Sequence, residues 1–193
     1  IDKIYHKVVV VRRGGFCYEL NGLFYHLLKA IGFDAKMISA RVYSQKTKQY
    51  GAAYDHLAIN VKIDSKDYLV DVGFGKFALK PLLIELGTPQ KDDLGLFQFD
   101  KHDENYLKVS EITDEGVIPQ YIFKTQTRDF NEFIDMCAFH QTSEQSHFTK
   151  QKVISILTQE GRLTLSNGIF RRSKNRGELI EELNFKGNAK FEE

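Results

Sequence analysis

Cysteine is nearly absent from this 193-residue chain: Cys17 and Cys137 are the only two. Two thiols cannot staple a disulfide scaffold, so a reducing, cytoplasmic location is the default expectation. Proline is almost as scarce, with three residues, and no low-complexity linker or internal repeat divides the chain. Neither sign of charge dominates. The net charge of +1 at pH 7 removes any general argument for nucleic acid or an anionic membrane as partner. No apolar run approaches the roughly 18 residues that a membrane-spanning helix needs. The opening IDKIYHKVVVV has too short an apolar part for a signal peptide, and no small-residue cleavage site follows it. An initiator Met is lacking, so the chain reads as a fragment or a processed product.

What is present is ordinary globular material. Hydrophobic residues make up 42% and charged residues 27%, enough to bury a sizeable core in one large domain or two small ones. After Gly15, the residues Leu20, Leu23, Phe24, Leu27, Leu28 and Ile31 recur at three- and four-residue intervals. That spacing predicts an amphipathic helix, and Gly32 is placed to end it. Strand patterns follow at Ala35–Tyr43, His56–Ile63, Tyr68–Val72, Leu94–Phe99, Tyr106–Ile112 and Gln120–Thr125. A helical pattern returns over Phe130–Phe139. Lys152–Thr158 and Gly161–Leu165 read as a hairpin, and Arg176–Leu183 reads as a final helix. One helix, a run of antiparallel strands and a mixed end make an α+β chain.

The stretch RRGGFCYELN, Arg12 to Asn21, puts Cys17 at the start of the first helix. Unpaired N–H groups and the positive end of the helix dipole favour a thiolate there, and the thiolate is the nucleophilic form. Gly14 and Gly15 let the backbone turn sharply and a substrate come close. Those N–H groups could also hold an oxyanion. Against this stands the common fate of free cysteine, which is inert core filling. Cys137, between Met136 and Ala138, fits that second reading. For Cys17, position alone leaves both readings open until a base is found.

DHLAINVKIDSKDYLVDVGFG supplies a candidate base. A two-residue loop at Asp64-Ser65 pairs Ile63 with Lys66, and therefore Ala58 with Asp71 and His56 with Gly73. His56 and Asp71 then share a sheet face as diagonal neighbours, roughly 7 Å apart at Cβ. A loop longer by one residue would put them on opposite faces. Gly73 opposite His56 would leave open space over the imidazole. His56 could equally be a half-buried strand histidine bonded to a carbonyl. Asp71 is harder to explain that way, because an acid inside YLVDVGFG is expensive to bury unless paired. Cys17, His56 and Asp71 are therefore the candidate nucleophile, base and orienting carboxylate.

The three segments together resemble the arylamine N-acetyltransferase family in its bacterial type. The family's R-G-G-x-C-x-E-x-N stands as Arg13-Gly14-Gly15-Phe16-Cys17-Tyr18-Glu19-Leu20-Asn21, its histidine strand as His56-Leu57-Ala58-Ile59, and its D-V-G-F-G as Asp71 to Gly75. Thr142-Ser143-Glu144-Gln145-Ser146-His147-Phe148 resembles the family's serine-rich stretch, with Glu144 near the place of a usual proline. The resemblance implies a cysteine-protease-like core: a nucleophile helix, an antiparallel β-barrel and an α/β lid. It divides the chain into a helical remnant (1–33), a barrel (34–128) and an interdomain helix with lid (129–193). The family's amino-terminal helical segment, about fifty residues, is then largely missing, and the chain expressed alone is expected to be poorly soluble or inactive.

The activity implied is ping-pong acetyl transfer from acetyl-CoA, as co-substrate, to a small aromatic amine or hydrazine, with xenobiotic metabolism as the setting. No bound cofactor, metal, nucleic acid or membrane is implied, and His6, His26, His102, His140 and His147 show no metal-ligand spacing. Phe16, Gly73, Phe74 and Gly75 are candidate cleft-wall contacts to substrate. Thr142, Ser143 and Ser146 are candidates for bonding coenzyme A phosphates, though a helix-ending loop explains them as well. Arg171, Arg172, Lys174 and Arg176 could meet phosphates or form a solvated charged face. Glu19 and Asn21 read as supports of the nucleophile turn, and Arg13 as a partner of a carboxylate such as Glu19. A thiol hydrolase or transglutaminase-like enzyme with the same triad, or a truncated inactive binding protein, are the alternatives.

Overall fold

The helical stripe that begins after Gly15 becomes a helix in a computed structural model of the chain, which describes residues 1–185. A short helix α1 (Asp2–Tyr5) runs on as a wider π-type turn over His6–Val10 and precedes α2 (Cys17–Ala30). Glu19 folds back at the start of α2 to accept the N–H of Phe16 at 3.1 Å. Lys7 Nζ donates to both Glu19 oxygens at 2.7 Å. The partner of Glu19 is thus Lys7 and not Arg13, which is exposed. A Cβ on Gly15 would lie 2.6 Å from Glu19 Oε2, so the missing side chain makes room for this cap. Gly14 meets no neighbour within 4 Å. Gly32 ends the helix with φ +97°.

The chain then builds β1 (Asp34–Ser44), β2 (Gln49–Tyr50), β3 (His56–Ile63), β4 (Lys66–Val70), β5 (Leu82–Leu83), β6 (Gln90–Lys91), β7 (Leu96–Lys101), β8 (Leu107–Thr113) and β9 (Gly116–Phe123). Eight of them pair in the order β5-β4-β3-β1-β9-β8-β7-β6, with β2 on β1, and every pairing between these strands is antiparallel. The two end strands approach through a side chain. Leu83 N donates to Gln90 Oε1 at 2.8 Å, and Gln90 Nε2 donates to Leu83 O at 2.6 Å. One amide thereby does what a ladder pair would do, and the sheet becomes a nearly closed barrel. Its interior holds Ile38, Leu69, Phe97, Phe99, Tyr121 and Phe123. The predicted strands shift by a few residues at their ends. β2, β5 and β6 escaped the pattern because two residues are too few to show alternation.

The hairpin of β3 and β4 has the two-residue loop that the sequence requires. Ile63 pairs with Lys66, and Asp64 and Ser65 take φ +49° and +66°. That is the left-handed pair of a type I′ turn. After β9 comes a 3-10 turn (Phe130–Phe133) that leads into α3 (Ile134–Thr142), so the predicted Phe130–Phe139 helix starts as 3-10 and runs three residues further.

Contacts divide the chain into two units, Ile1–Cys137 and a second that begins at Ala138. The first holds α1, α2 and the barrel. The second holds α4 (His147–Lys150) and a four-stranded antiparallel sheet in sequence order, β10 (Val153–Leu157), β11 (Gly161–Ser166), β12 (Ile169–Lys174) and β13 (Leu179–Asn184). The predicted hairpin is β10 and β11. The predicted final helix is instead β13. Its LIEEL stretch has helical propensity, but pairing with β12 and a cross-strand bond from Arg171 Nε to Glu182 at 2.7 Å outweigh it. Arg172 likewise pairs with Glu160, and Lys174 with Glu178 at 2.9 Å. All three cations are engaged in solvent-accessible ion pairs. The side chain of Arg176 and residues 186–193 of the predicted lid lie outside the described residues.

Asp92 fixes the loop before β5. It is 2% exposed and accepts N–H bonds from Leu79, Lys80 and Leu94 at 2.9–3.1 Å. Asp92→Ala leaves three amides without their acceptor. The expected loss is about 3 kcal/mol in urea unfolding; a change within 0.5 kcal/mol of zero, roughly the range of ordinary surface substitutions, would contradict this role.

Candidate active site

Three local events bring the predicted residues together. Cys17 opens α2, His56 opens β3, and Asp71 lies one residue past β4. The ring N–H of His56 Nε2 donates to Asp71 Oδ2 at 2.6 Å, and His56 is also hydrogen-bonded to Cys17. With Nε2 engaged, Nδ1 is the nitrogen that faces the sulfur. His56 and Asp71 do meet, but not as diagonal neighbours on one sheet face: the β3–β4 ladder ends at Ile59–Val70, so the expected pairs Ala58–Asp71 and His56–Gly73 do not form. Beyond that pair β3 continues against β1 alone, with His56 opposite Ala40. The chain at Asp71 is free to leave the sheet and bend toward α2.

Asp71 accepts from four donors. Asn21 Nδ2 reaches Oδ1 at 2.8 Å, Gly73 N reaches Oδ1 at 2.9 Å, and Tyr121 Oη reaches Oδ2 at 3.0 Å, alongside His56. The side chain has no exposed area, and yet no lone-pair region faces an apolar wall. Burial pushes its pKa up, but the charge and hydrogen bond of His56 and the bonds from Asn21 and Gly73 hold it below the usual carboxylate range. Burial likewise disfavours a charged His56. Asp71 and the bond to Cys17 outweigh it and raise the imidazole to about 10. Tyr121 stays a neutral donor, since burial and the Asp71 charge push its ionisation well up.

Asn21, read from sequence only as a support, is fully buried and ties three segments. Besides Asp71 it donates to Leu57 O at 2.6 Å and accepts from Val72 N at 2.8 Å. Tyr121 was not singled out by the sequence, where it is one aromatic residue in a strand pattern; only the sheet order places β9 beside β1.

The glycines after Asp71 do something other than expected. Gly73 does not open space over the imidazole. A Cβ there would stand 2.6 Å from Cys17 Cα, 3.0 Å from Cys17 Cβ and 2.9 Å from Asn21 Nδ2. Its bare backbone is what allows the Asp71 segment to touch the nucleophile turn. The imidazole is covered instead by Phe74, ring centroids 5.2 Å apart, and by Tyr121 at 5.3 Å. Gly75 has φ +83° and is exposed. Phe16 is half-buried and packs in the cluster around Tyr18, Met37, Leu57 and Phe133, to which Cys17 and Cys137 also belong.

Thr142, Ser143 and Ser146 lie in the second unit, and each hydroxyl has a local bond. Thr142 Oγ1 donates to Ala138 O at 2.8 Å, and Ser143 Oγ accepts from Gln145 N at 3.2 Å. Ser146 is 2% exposed, caps α4 through Phe148 N, and stands 3.2 Å from His140 Nδ1. Among the described residues no cluster of His, Cys, Asp and Glu could hold a metal ion, and no helix is long and apolar enough to cross a membrane.

A half-buried thiol in line with a buried imidazole and carboxylate at a helix start is an acyl-carrying arrangement shared by several enzyme classes. Comparison with known proteins narrows it. A family model described as N-acetyltransferase matches residues 1–193. The chain belongs to the arylamine N-acetyltransferase family. It is 30% identical to human arylamine N-acetyltransferase 1 in an alignment that covers 83% of this chain. It spans 62% of the length of that protein and of a chicken pineal gland isozyme. The Salmonella typhimurium arylamine N-acetyltransferase structure superposes with a TM-score of 0.87 at 25% identity, covering 95% of this chain and 67% of that one. That of Mycobacterium marinum in complex with CoA does so at 0.85 and 27%, covering 96% and 69%. The cysteine-protease-like α+β core is thus the family's own.

Gly73→Ala forces Cys17 and the Asp71 segment apart. A displacement of the order of 1 Å at reacting groups lowers turnover roughly 100-fold. The rate at which iodoacetamide alkylates Cys17, measured on folded Gly73→Ala protein, is expected to fall well below the parent's; a rate within a factor of two of the parent would contradict the close approach.

Proposed function

We propose that the protein transfers an acetyl group from acetyl-CoA to the nitrogen of an arylamine or arylhydrazine through an acetyl-Cys17 intermediate. The carrying observation is the bond from His56 to a four-fold satisfied Asp71 with Cys17 on the other side of the ring. Family membership supports the choice of reaction.

The steps follow from the geometry. Cys17 gives its proton to His56 Nδ1, and Asp71 stabilises the resulting imidazolium at Nε2. The sulfur attacks the thioester carbonyl. A helix start offers N–H groups that its own carbonyls do not claim, and these can hold the oxyanion. The C–S bond to CoA breaks, and His56 returns a proton to the departing thiolate. In the second half the amine nitrogen attacks acetyl-Cys17, His56 takes the amine proton, and the Cys17–carbonyl bond breaks. Two sulfur leaving groups of similar basicity let the acyl group pass in either direction, so the acceptor decides the outcome.

Phe74, over the imidazole, is the proposed contact for an aromatic acceptor, with Phe16 on the nucleophile side and Gly75 admitting the thioester arm, while Gly73 serves to hold the Asp71 segment against Cys17. For the coenzyme's phosphates, the proposed donors are Thr142 and Ser143, with Ser146 holding the turn that presents them. A cytoplasmic site of action and a role in xenobiotic metabolism complete the proposal.

The test mixes the full-length protein with acetyl-CoA and follows free thiol. A burst of a single equivalent is expected without amine, and continuous release with it. Cys17→Ala is expected to show neither. Continuous release without amine would make the protein a hydrolase instead. No release at all would leave a binding protein, and a burst that survives Cys17→Ala would remove Cys17 as the nucleophile.

A further inference from the structure

Tyr18 follows the nucleophile in sequence, and its side chain runs into the protein, 2% exposed. Its hydroxyl donates to two successive carbonyls, Tyr54 O at 2.9 Å and Asp55 O at 3.1 Å. These are the two residues immediately before His56. Strand β3 begins only at His56, so both carbonyls lie outside its ladder. Two consecutive carbonyls converge on one donor only if the backbone between them is unusual, and Tyr54 is left-handed, with φ +63°. For a bulky residue that conformation is uncommon and persists only where its surroundings hold it. The hold is two-sided. Tyr54 Oη donates to Glu132 Oε2 at 2.7 Å, and its ring meets Phe133 edge-on at 5.3 Å.

We propose that the Tyr18 hydroxyl is a positioning group that sets the separation of Cys17 and His56, by tying the nucleophile's helix to the strained turn that delivers the histidine. The physical link is short. Tyr18 shares a peptide bond with Cys17, and Asp55 shares one with His56, so one shared hydrogen bond closes a ring through both reacting side chains. Asp71 fixes His56 from the far side and Asn21 ties α2 to Leu57 O just after it; the Tyr18 hydroxyl adds the tie between α2 and the chain just before it. The role calls for a neutral donor, and burial together with the neighbouring Cys17 charge pushes the Tyr18 phenol well above its ordinary pKa. This assignment rests on the proposed function only in giving the Cys17–His56 distance a purpose. The distance itself can be tested without acetyl-CoA.

The test is alkylation of the whole protein by iodoacetamide across pH, with Cys17 and Cys137 read separately by peptide mass spectrometry. They fall on different tryptic peptides, because Lys29 and Arg128 lie between them. Tyr18→Phe keeps the ring and its packing on Phe133, centroids 5.9 Å apart, and removes only the hydroxyl. We expect Cys17 alkylation at neutral pH to fall about ten-fold, the equivalent of one lost hydrogen bond to a reacting geometry. Its pH profile should move toward that of His56→Asn, with Cys137 unchanged. Tyr54→Phe, a change at a half-buried position that breaks only the bond to Glu132, should move Cys17 the same way by about three-fold. A merely structural hydroxyl predicts lower thermal stability with a parental Cys17 rate and pH profile, and that result overturns the proposal. Should Tyr18→Phe not fold, a parental profile in Tyr54→Phe overturns it. An unmodified protein that transfers no acetyl group, while Tyr18→Phe still slows Cys17 alkylation, would instead count against the proposed reaction and leave the positioning role standing.

Discussion

The site depends on one buried carboxylate. Asp71 sits with no side-chain exposure in a wall of apolar strands, where an unpaired charge would be prohibitively costly. Four donors remove that cost, and each comes from a different part of the fold: the start of β3, the first turns of α2, the middle of β9 and the backbone two residues on. Satisfying Asp71 therefore forces α2, β3 and β9 to converge. The convergence that makes the charge tolerable is also what places His56 beside Cys17.

The rest of the neighbourhood is arranged to permit that convergence. Gly73 has no side chain because Cys17 Cα occupies the place where one would go. Gly15 has none because Glu19 must fold back to cap the helix whose first residue is the nucleophile. Phe74 and Tyr121 cover the imidazole, so the electrostatic pull of Asp71 acts in a water-poor setting where it is strong. The barrel supplies rigidity: its strands hold His56 and Tyr121 in register, and the Gln90 amide bridges its two end strands.

Much of this was legible in the residues. The Asp64-Ser65 turn gave the register of the β3–β4 hairpin as far as Ile59–Val70, and the cost of burying Asp71 argued for a partner. The stripe from Leu20 to Ile31 located the nucleophile's helix. What was not legible depended on contacts distant in sequence. Tyr121 acts on Asp71 only because β9 lies next to β1, and no local pattern reports strand order. Gly73 was read as empty space because the hairpin was considered without α2 packed on it. Lys7 took the place given to Arg13 because the π-type turn after α1 aims one lysine at Glu19. LIEEL followed its partner strand rather than its helical propensity, which is the usual result when pairing and propensity compete.

The most direct measurement is an NMR titration of the His56 ring, by the nitrogen and carbon shifts of a selectively labelled imidazole. The paired carboxylate, with Cys17 on the other side of the ring, predicts a ring that remains protonated through pH 7 and loses its proton only at about 10. A His56 that titrates at the ordinary histidine value of about 6.5 would contradict the account, because Asp71 would then not be holding the imidazolium at all.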